Sequence, residues 1–353
     1  FMAFDGIVVA GLVHELKQKL TDGRIAKIAQ PEADELLLTI KSPCGQHRLL
    51  ISANASLPLI YLTDTNKPSP ITAPNFCMLL RKHISNSRIT DISQPKLERI
   101  ICFTIEHFDE LGDLCQKKLI VEIMGKHSNV ILTDMTSGKI IDSIKHVSAA
   151  MSSLREVLPG RTYCIPATQD DRLNPLEVTE ETFLDSAMKK PLPIAKALYT
   201  SFTGVSPLVA NEICHRASID GDMSVDSLTP DAKKHLYHNF AWLMEDVKEH
   251  RYEPNIITRD REPVEFSCFR LTEYVGSDDA AEATNSTGAA ANGSEYTMQH
   301  FSSISAVLEQ YYASRNVYTR IRQKSVDLRR IVATALDRSR KKYQLQEKQL
   351  KDT

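Results

Sequence analysis

Val121-Glu122-Ile123-Met124-Gly125-Lys126-His127-Ser128-Asn129-Val130-Ile131-Leu132-Thr133 is the stretch on which the reading of the fold turns. Two apolar runs rich in β-branched residues, 119–124 and 130–133, flank a polar insert over 125–129. Apolar runs of this length read as half-buried strands, and a Gly- and Asn-containing insert between them reads as a turn. The turn presents a cation, an imidazole, a hydroxyl and an amide together, with no acid among them. Such a tip can meet phosphate or RNA, and it cannot by itself cleave anything. An ordinary turn is the rival reading.

Working outward, the chain has 353 residues, enough for two domains that each bury a core. Its apolar fraction of 42% and charged fraction of 25% are those of a soluble globular protein. No apolar run approaches the length of a membrane span. The apolar start, 4–13, contains Asp5 and lacks a preceding basic region, so it does not read as a secretory signal. Met2 reads as the initiator, with Phe1 an addition before it. Seven cysteines (Cys44, Cys77, Cys102, Cys115, Cys164, Cys214, Cys268) are dispersed and never spaced Cys-x-x-Cys. That usage suits buried thiols in a reducing cytosol and argues against a disulfide scaffold or a zinc site.

A net charge of −2 hides an asymmetry. Residues 315–351 hold twelve Lys and Arg against three acids, a balance of +9 that leaves −11 for the rest. A basic arm on an acidic body points to a polyanionic partner, or else to a solvated helix face.

Element by element, Val9, Leu12, Val13, Leu16 and Leu20 recur at helical spacing, with Asp5 placed as N-cap and Gly23 just past the end. Strands are expected at 24–29, 35–41, 48–52, 59–63, 88–92, 99–107, 118–124, 130–133 and 139–144, with one helix at 75–85 between them. Nine strands with hairpin-length connections predict an antiparallel sandwich or open barrel over 2–175. A helical domain follows over 176–254. Within it, 194–217 reads as helix, Gly204-Val205-Ser206, helix, with Ser206 as N-cap and Pro207 at the first helical position. Strands return over 255–275. Residues 276–297 are rich in Ala, Gly, Ser, Asp, Asn and Thr, which predicts a disordered loop over 276–300. From 301 to 353 the pattern is the start of a long coiled-coil helix, read as truncated at its end.

The candidate chemistry is sparse. Lys-His pairs occur at Lys82-His83, Lys126-His127 and Lys145-His146, a cationic surface on one reading and ordinary turn composition on the other. Glu98-Arg99 sits at a strand edge, able to offer a guanidinium to RNA, or simply facing solvent. The Gly204 hairpin resembles a helix-hairpin-helix, whose second helix can receive a phosphate on its N–H groups. Ser206 replaces the usual second glycine there, which favours a structural corner. Asp5 reads as a cap before it reads as a catalytic acid. His235 and His238 lack partners at ligand spacing, and no nucleophile elbow, Walker loop or dinucleotide fingerprint occurs. No catalytic residue, metal or cofactor is expected, and the protein does not read as an enzyme.

Together these segments resemble the NFACT-N module of the RqcH family, known in bacteria also as fibronectin-binding protein A-like. The resemblance rests on Phe4-Asp5-Gly6, Gly23-Arg24-Ile25, Leu80-Arg81-Lys82-His83 and Glu122-Ile123-Met124-Gly125-Lys126-His127-Ser128-Asn129. It continues through Ile141-Asp142-Ser143-Ile144-Lys145-His146 and Leu158-Pro159-Gly160. It implies an α+β fold whose first domain is similar to the N-terminal β-sandwich of formamidopyrimidine-DNA glycosylase, then a helix-hairpin-helix domain and the base of a coiled coil. The glycosylase's N-terminal proline and zinc-finger cysteines are not present, so a repair activity on the shared fold is the weakest reading. The resemblance further implies a cytoplasmic ribosome quality control factor. Such a factor binds tRNA, alanyl-tRNA in bacteria, and a large ribosomal subunit obstructed by peptidyl-tRNA, and it promotes alanine tailing of stalled chains. The functional polar residues it implies are Asp5 and the Glu98-Arg99 pair (with Glu98 where the family carries Asp), and Lys126 and His127 join them as RNA-binding candidates from the turn's own composition, with holding the hairpin's shape as their rival role. A fibronectin-binding surface adhesin is the alternative that the older name implies.

Overall fold

A computed structural model describes residues 4–166, 171–275, 286–289 and 295–351. The first helix, α1 (Gly6–Leu20), starts where Asp5 caps it. Its residues Ile7, Val9, Leu12, Leu16 and Leu20 are fully buried, because it threads the middle of the core rather than lying on its surface. Then come β1 (Arg24–Glu32), β2 (Glu35–Ser42), β3 (Gly45–Ser52), β4 (Leu59–Thr63), α2 (Asn75–Ile84), β5 (Arg88–Ser93), β6 (Ile100–Phe108), β7 (Leu114–Glu122), β8 (Asn129–Asp134) and β9 (Ile140–Ser143). The nine strands form one antiparallel sheet in the order β4-β3-β2-β1-β5-β6-β7-β8-β9.

The expected sandwich or open barrel takes a specific form. The two halves of the sheet meet at β1 and β5 through one register pair, Arg24 with Arg88. So narrow a joint lets them diverge, and inner residues of both, such as Leu36, Leu49, Ile105 and Leu132, share one core with α1. On the outer face of the second half, Ile100, Cys102, Ile120, Ile131, Ile140 and Val157 form a smaller core.

The helical region contains α3 (Glu180–Asp185), α4 (Ile194–Ser201), α5 (Pro207–Arg216) and α6 (Pro230–Lys248). Thr179, Ser206 and Thr229 each cap their helix with a side-chain oxygen, and Pro sits in the first turn of α5 and α6. Strands return as β10 (Asn255–Arg259) and β11 (Glu262–Ser267). At the end of the 255–275 stretch expected to hold strands, a single helical turn, α7 (Thr272–Val275), forms instead. Buried Glu212 of α5 accepts the N–H groups of Thr272 and Glu273 at 2.9 and 3.1 Å, which starts that turn.

The disordered loop expected over 276–300 is corrected in part. Its described residues form β12 (Ser286–Ala289) and β13 (Glu295–His300), giving a sheet ordered β11-β10-β13-β12. Composition missed β13 because its support is non-local: Met298 is fully buried and pairs with Ile257. The other residues of that expectation lie outside the described ones.

The last helix, α8 (Ile304–Lys351), runs 48 residues without Pro or Gly. Among its described side chains the buried ones lie at its start, Ile304, Ser305, Val307, Leu308 and Tyr311, with Tyr312 packed against the core beside them. Glu15 accepts from the Ser305 amide and hydroxyl, and the Thr63 hydroxyl donates to Glu309 at 2.5 Å. Farther along, Ile321, Leu328, Ile331 and Leu336 are at least half exposed.

Candidate nucleic-acid interface

The end of the sheet and the α4–α5 hairpin enclose a cleft of about 920 Å³. All five residues singled out from the sequence, Asp5, Glu98, Arg99, Lys126 and His127, line it, together with Lys145, His146, Arg155, Arg172 and the Gly204–Ser206 turn. Five cationic side chains and two imidazoles face two carboxylates there, so the cleft favours an anionic guest.

The polar turn between β7 and β8 divides its residues by burial. Ser128 and Asn129 are buried and hold the turn: Ser128 Oγ accepts the Met124 amide at 2.8 Å. Asn129 Nδ2 donates to the Lys145 carbonyl at 2.9 Å, and its Oδ1 accepts the Lys145 amide at 3.1 Å. Gly125 takes φ +57°, in the left-handed region, with open space where a Cβ would be. Lys126 and His127 are exposed, and neither bonds to a described residue through its side chain. Ser and Asn therefore set the shape, and Lys126 and His127 are left for a partner.

Asp5 behaves in the opposite way. It is 4% exposed, and both carboxylate oxygens are occupied. Oδ1 accepts the amides of Ile7 and Val8, each at 3.0 Å, and Oδ2 accepts the Ser206 hydroxyl at 2.6 Å. Ser206 Oγ in turn accepts the Val209 amide at 3.3 Å. One carboxylate thus joins the N-termini of α1 and α5, 201 residues apart in sequence. The backbones meet there as well: the Gly6 amide donates to the Gly204 carbonyl at 3.1 Å. A Cβ on Gly204 would lie 2.2 Å from the Leu97 carbonyl oxygen, and Gly204 has φ +77°. Only glycine fits. Burial pushes the Asp5 carboxyl up to about 6, against the pull of Ser206, the two amides and the nearby Arg99. Asp5 is therefore a positioning group beneath the cleft rather than a contact surface.

Glu98 and Arg99 are half-buried just before β6. Burial raises the Glu98 carboxyl, opposed first by Arg99 and then by Arg172. Burial lowers the Arg99 guanidinium, opposed first by Asp5 and then by Glu98, and an arginine stays charged throughout. Arg172 was not legible in the sequence. Its Nε is buried without a hydrogen-bond partner among the described residues, and burial lowers its guanidinium.

Two further groups support the wall. Fully buried Glu122 pairs with Arg155 and accepts the Tyr163 hydroxyl at 3.0 Å, while Arg155 also donates to the Cys164 carbonyl at 2.7 Å. Lys145 donates its ammonium to the Ala53 carbonyl, tying the two halves of the sheet together beside the cleft. His146 bonds Asp142 at 2.6 Å. The third Lys-His pair, Lys82-His83, lies in the last turn of α2 and does not line the cleft. Among the described residues no three His, Cys, Asp or Glu side chains are grouped to hold a metal ion. No described helix is long and apolar enough to cross a membrane.

Sheet, hairpin and cationic cleft make a composite α+β module in which neither half completes the site alone. The chain belongs to the family described as NFACT N-terminal and middle domains, whose model matches residues 5–353. It is 36% identical over 349 residues to the Rqc2 homolog RqcH of Bacillus subtilis, a match covering 99% of this chain and 55% of that protein. Against the Rqc2 homolog RqcH of Streptococcus suis it is 32% identical over 352 residues, again covering 55% of the relative. The chain thus spans about half the length of these curated relatives. Among solved structures it is similar to the N-terminal part of the fibronectin/fibrinogen-binding protein of Streptococcus suis. That match has a TM-score of 0.67 and 31% identity, and covers 88% of this chain and 99% of that one.

Proposed function

We propose that this chain acts in ribosome-associated quality control in the cytoplasm. It holds tRNA, alanyl-tRNA by family resemblance, in the cleft while engaged with a large ribosomal subunit obstructed by peptidyl-tRNA, and so promotes carboxy-terminal alanine tailing of the stalled chain. The observation that carries the reading is convergence. Five residues chosen from distant parts of the sequence line one cationic cleft, and the two exposed ones, Lys126 and His127, are free of described partners. The relatives named Rqc2 homolog RqcH support the cellular setting. Peptide transfer belongs to the ribosome, so the task left to the cleft is recognition, and the chain needs no catalytic residue of its own.

The test is a salt titration of tRNA binding. Binding should weaken with rising salt, and Lys126→Ala should weaken it further and reduce the slope against log salt by about 1. Arg99→Ala should also weaken binding. Salt-insensitive binding that neither change affects would remove the reading. The name fibronectin/fibrinogen-binding protein borne by the Streptococcus suis neighbour favours a second reading, a surface adhesin. Comparing surface and cytosolic fractions of native cells separates the two.

A further inference from the structure

Strands β6 and β7 have two ends, and the cleft uses one of them. They pair through nine consecutive residues, from Ile100 with Glu122 beside the cleft to Phe108 with Leu114 at the far end, without a register shift. At about 3.3 Å per residue, Phe108 stands about 30 Å along the strand from Arg99. Residues 109–113 close the ladder there, and Asp109 organises the turn. Its amide donates to the Asp113 carbonyl at 2.9 Å, and its carbonyl accepts the Gly112 amide at 3.0 Å. Its Oδ1 accepts the amides of Leu111 and Asp113, each at 2.9 Å. Gly112 completes the turn with φ +86°.

This fixed tip displays apolar side chains. Phe108, Leu111 and Leu114 are 72%, 87% and 54% exposed. Phe108 and Leu114 are register partners, so their side chains stand together on the outer face of the sheet, with Leu111 at the crown of the turn. A single exposed leucine is ordinary, whereas three large apolar residues within the stretch 108–114 make a contact patch. Its surroundings are acidic. Asp109, Glu110 and Asp113 are exposed, no base occurs from 108 to 115, and the carboxylates of Glu110 and Asp113 bond to no described residue. His107 and Lys117 alternate onto the opposite face, where they bond each other. The next outer row pairs Gln116 with Glu106, whose carboxylate holds Arg88, and Lys118 follows a row later, about 14 Å from Leu114. Such a tip repels a phosphate backbone. It fits a protein surface with an apolar socket and a cationic rim, and a turn already fixed enters that socket at little ordering cost.

We propose that the β6–β7 tip is a docking peg for a basic protein surface, held at a fixed distance from RNA in the cleft. The proposal rests on the proposed engagement of the large subunit, where the peg seats on a ribosomal protein rather than on rRNA.

Purified large ribosomal subunits and tRNA serve as separate probes of the 353-residue chain, by cosedimentation and filter binding. Phe108→Ser with Leu111→Ser should weaken subunit binding roughly tenfold, with tRNA binding within about twofold of wild type and an unchanged unfolding midpoint. Subunit binding equal to wild type in that variant overturns the proposal and leaves the proposed function standing. Glu110→Lys with Asp113→Lys should also weaken subunit binding, because it sets like charges against the cationic rim. Tighter binding by this variant overturns the proposal in favour of an rRNA contact. Leu111→p-benzoylphenylalanine should photocrosslink to a ribosomal protein, and a crosslink to rRNA or to a second copy of the chain overturns the peg. A wild-type chain that binds tRNA but not large subunits removes both the peg and the subunit engagement it rests on, without touching the cleft.

Discussion

Two tight turns face the cleft, and each contains a glycine and a serine with opposite duties. At Gly125 the left-handed φ of +57° opens onto empty space, the buried Ser128 closes the turn on itself, and Lys126 and His127 point outward. At Gly204 the φ of +77° coincides with a backbone lying against the Leu97 carbonyl, and Ser206 reaches away from its own turn to Asp5. The first turn is a self-contained display. The second is a weld between the starts of α1 and α5. Residue type alone does not distinguish them; what each side chain touches does.

The largest effect should come from breaking the weld. Gly204→Ala adds a Cβ against backbone at a left-handed position, and the combined strain should cost about 3–4 kcal/mol of stability, measured by denaturant unfolding. Next comes the pH dependence that Asp5 imposes. Its folded pKa of about 6 lies above the ordinary carboxylate value, so between roughly pH 4 and 6 the folded state holds a proton that the unfolded chain has released. Stability from this group is therefore greatest in acid and falls as pH rises through that window, by up to about 3 kcal/mol. Asp5→Asn should flatten that fall in urea titrations across the window. A variant as steep as wild type would show that Asp5 is not the titrating group.

Gly125→Ala meets no atom and pays only for its backbone angle, so about 1 kcal/mol is expected from the same unfolding measurement. If it cost as much as Gly204→Ala, the distinction between display and weld would fail. Smallest of all, Lys126→Ala should change stability by less than about 0.5 kcal/mol, while still weakening tRNA binding.

Much of this was legible in sequence because it is local. Asp5 caps α1 as its spacing to the apolar stripe predicts, and the strands of the large sheet follow their alternation with shifts of a few residues at their ends. The turn at 125–127 falls where Gly and the flanking strands place it. What stayed hidden depends on pairs far apart in the chain. The Asp5–Ser206 bond and the Glu122–Arg155 pair carry no periodicity, and Arg172 sits in a segment without a pattern. Even β13, inside a low-complexity stretch, exists because β10 offers it an open edge. For Asp5 the sequence shows the cap of α1 and not the bond it accepts from Ser206, the cap of α5.

The docking of α8 has a mechanical consequence. Forty-eight helical residues extend about 72 Å, and the first turns are clamped by Glu15 on Ser305 and Thr63 on Glu309. The helix is thus a lever with its fulcrum on α1 and β4. Those are the elements whose other ends carry Asp5 and adjoin Ala53, the carbonyl held by Lys145 beside the cleft. A tilt of a few degrees at that fulcrum would sweep the far end through several ångströms, about 72 Å being the length of the arm.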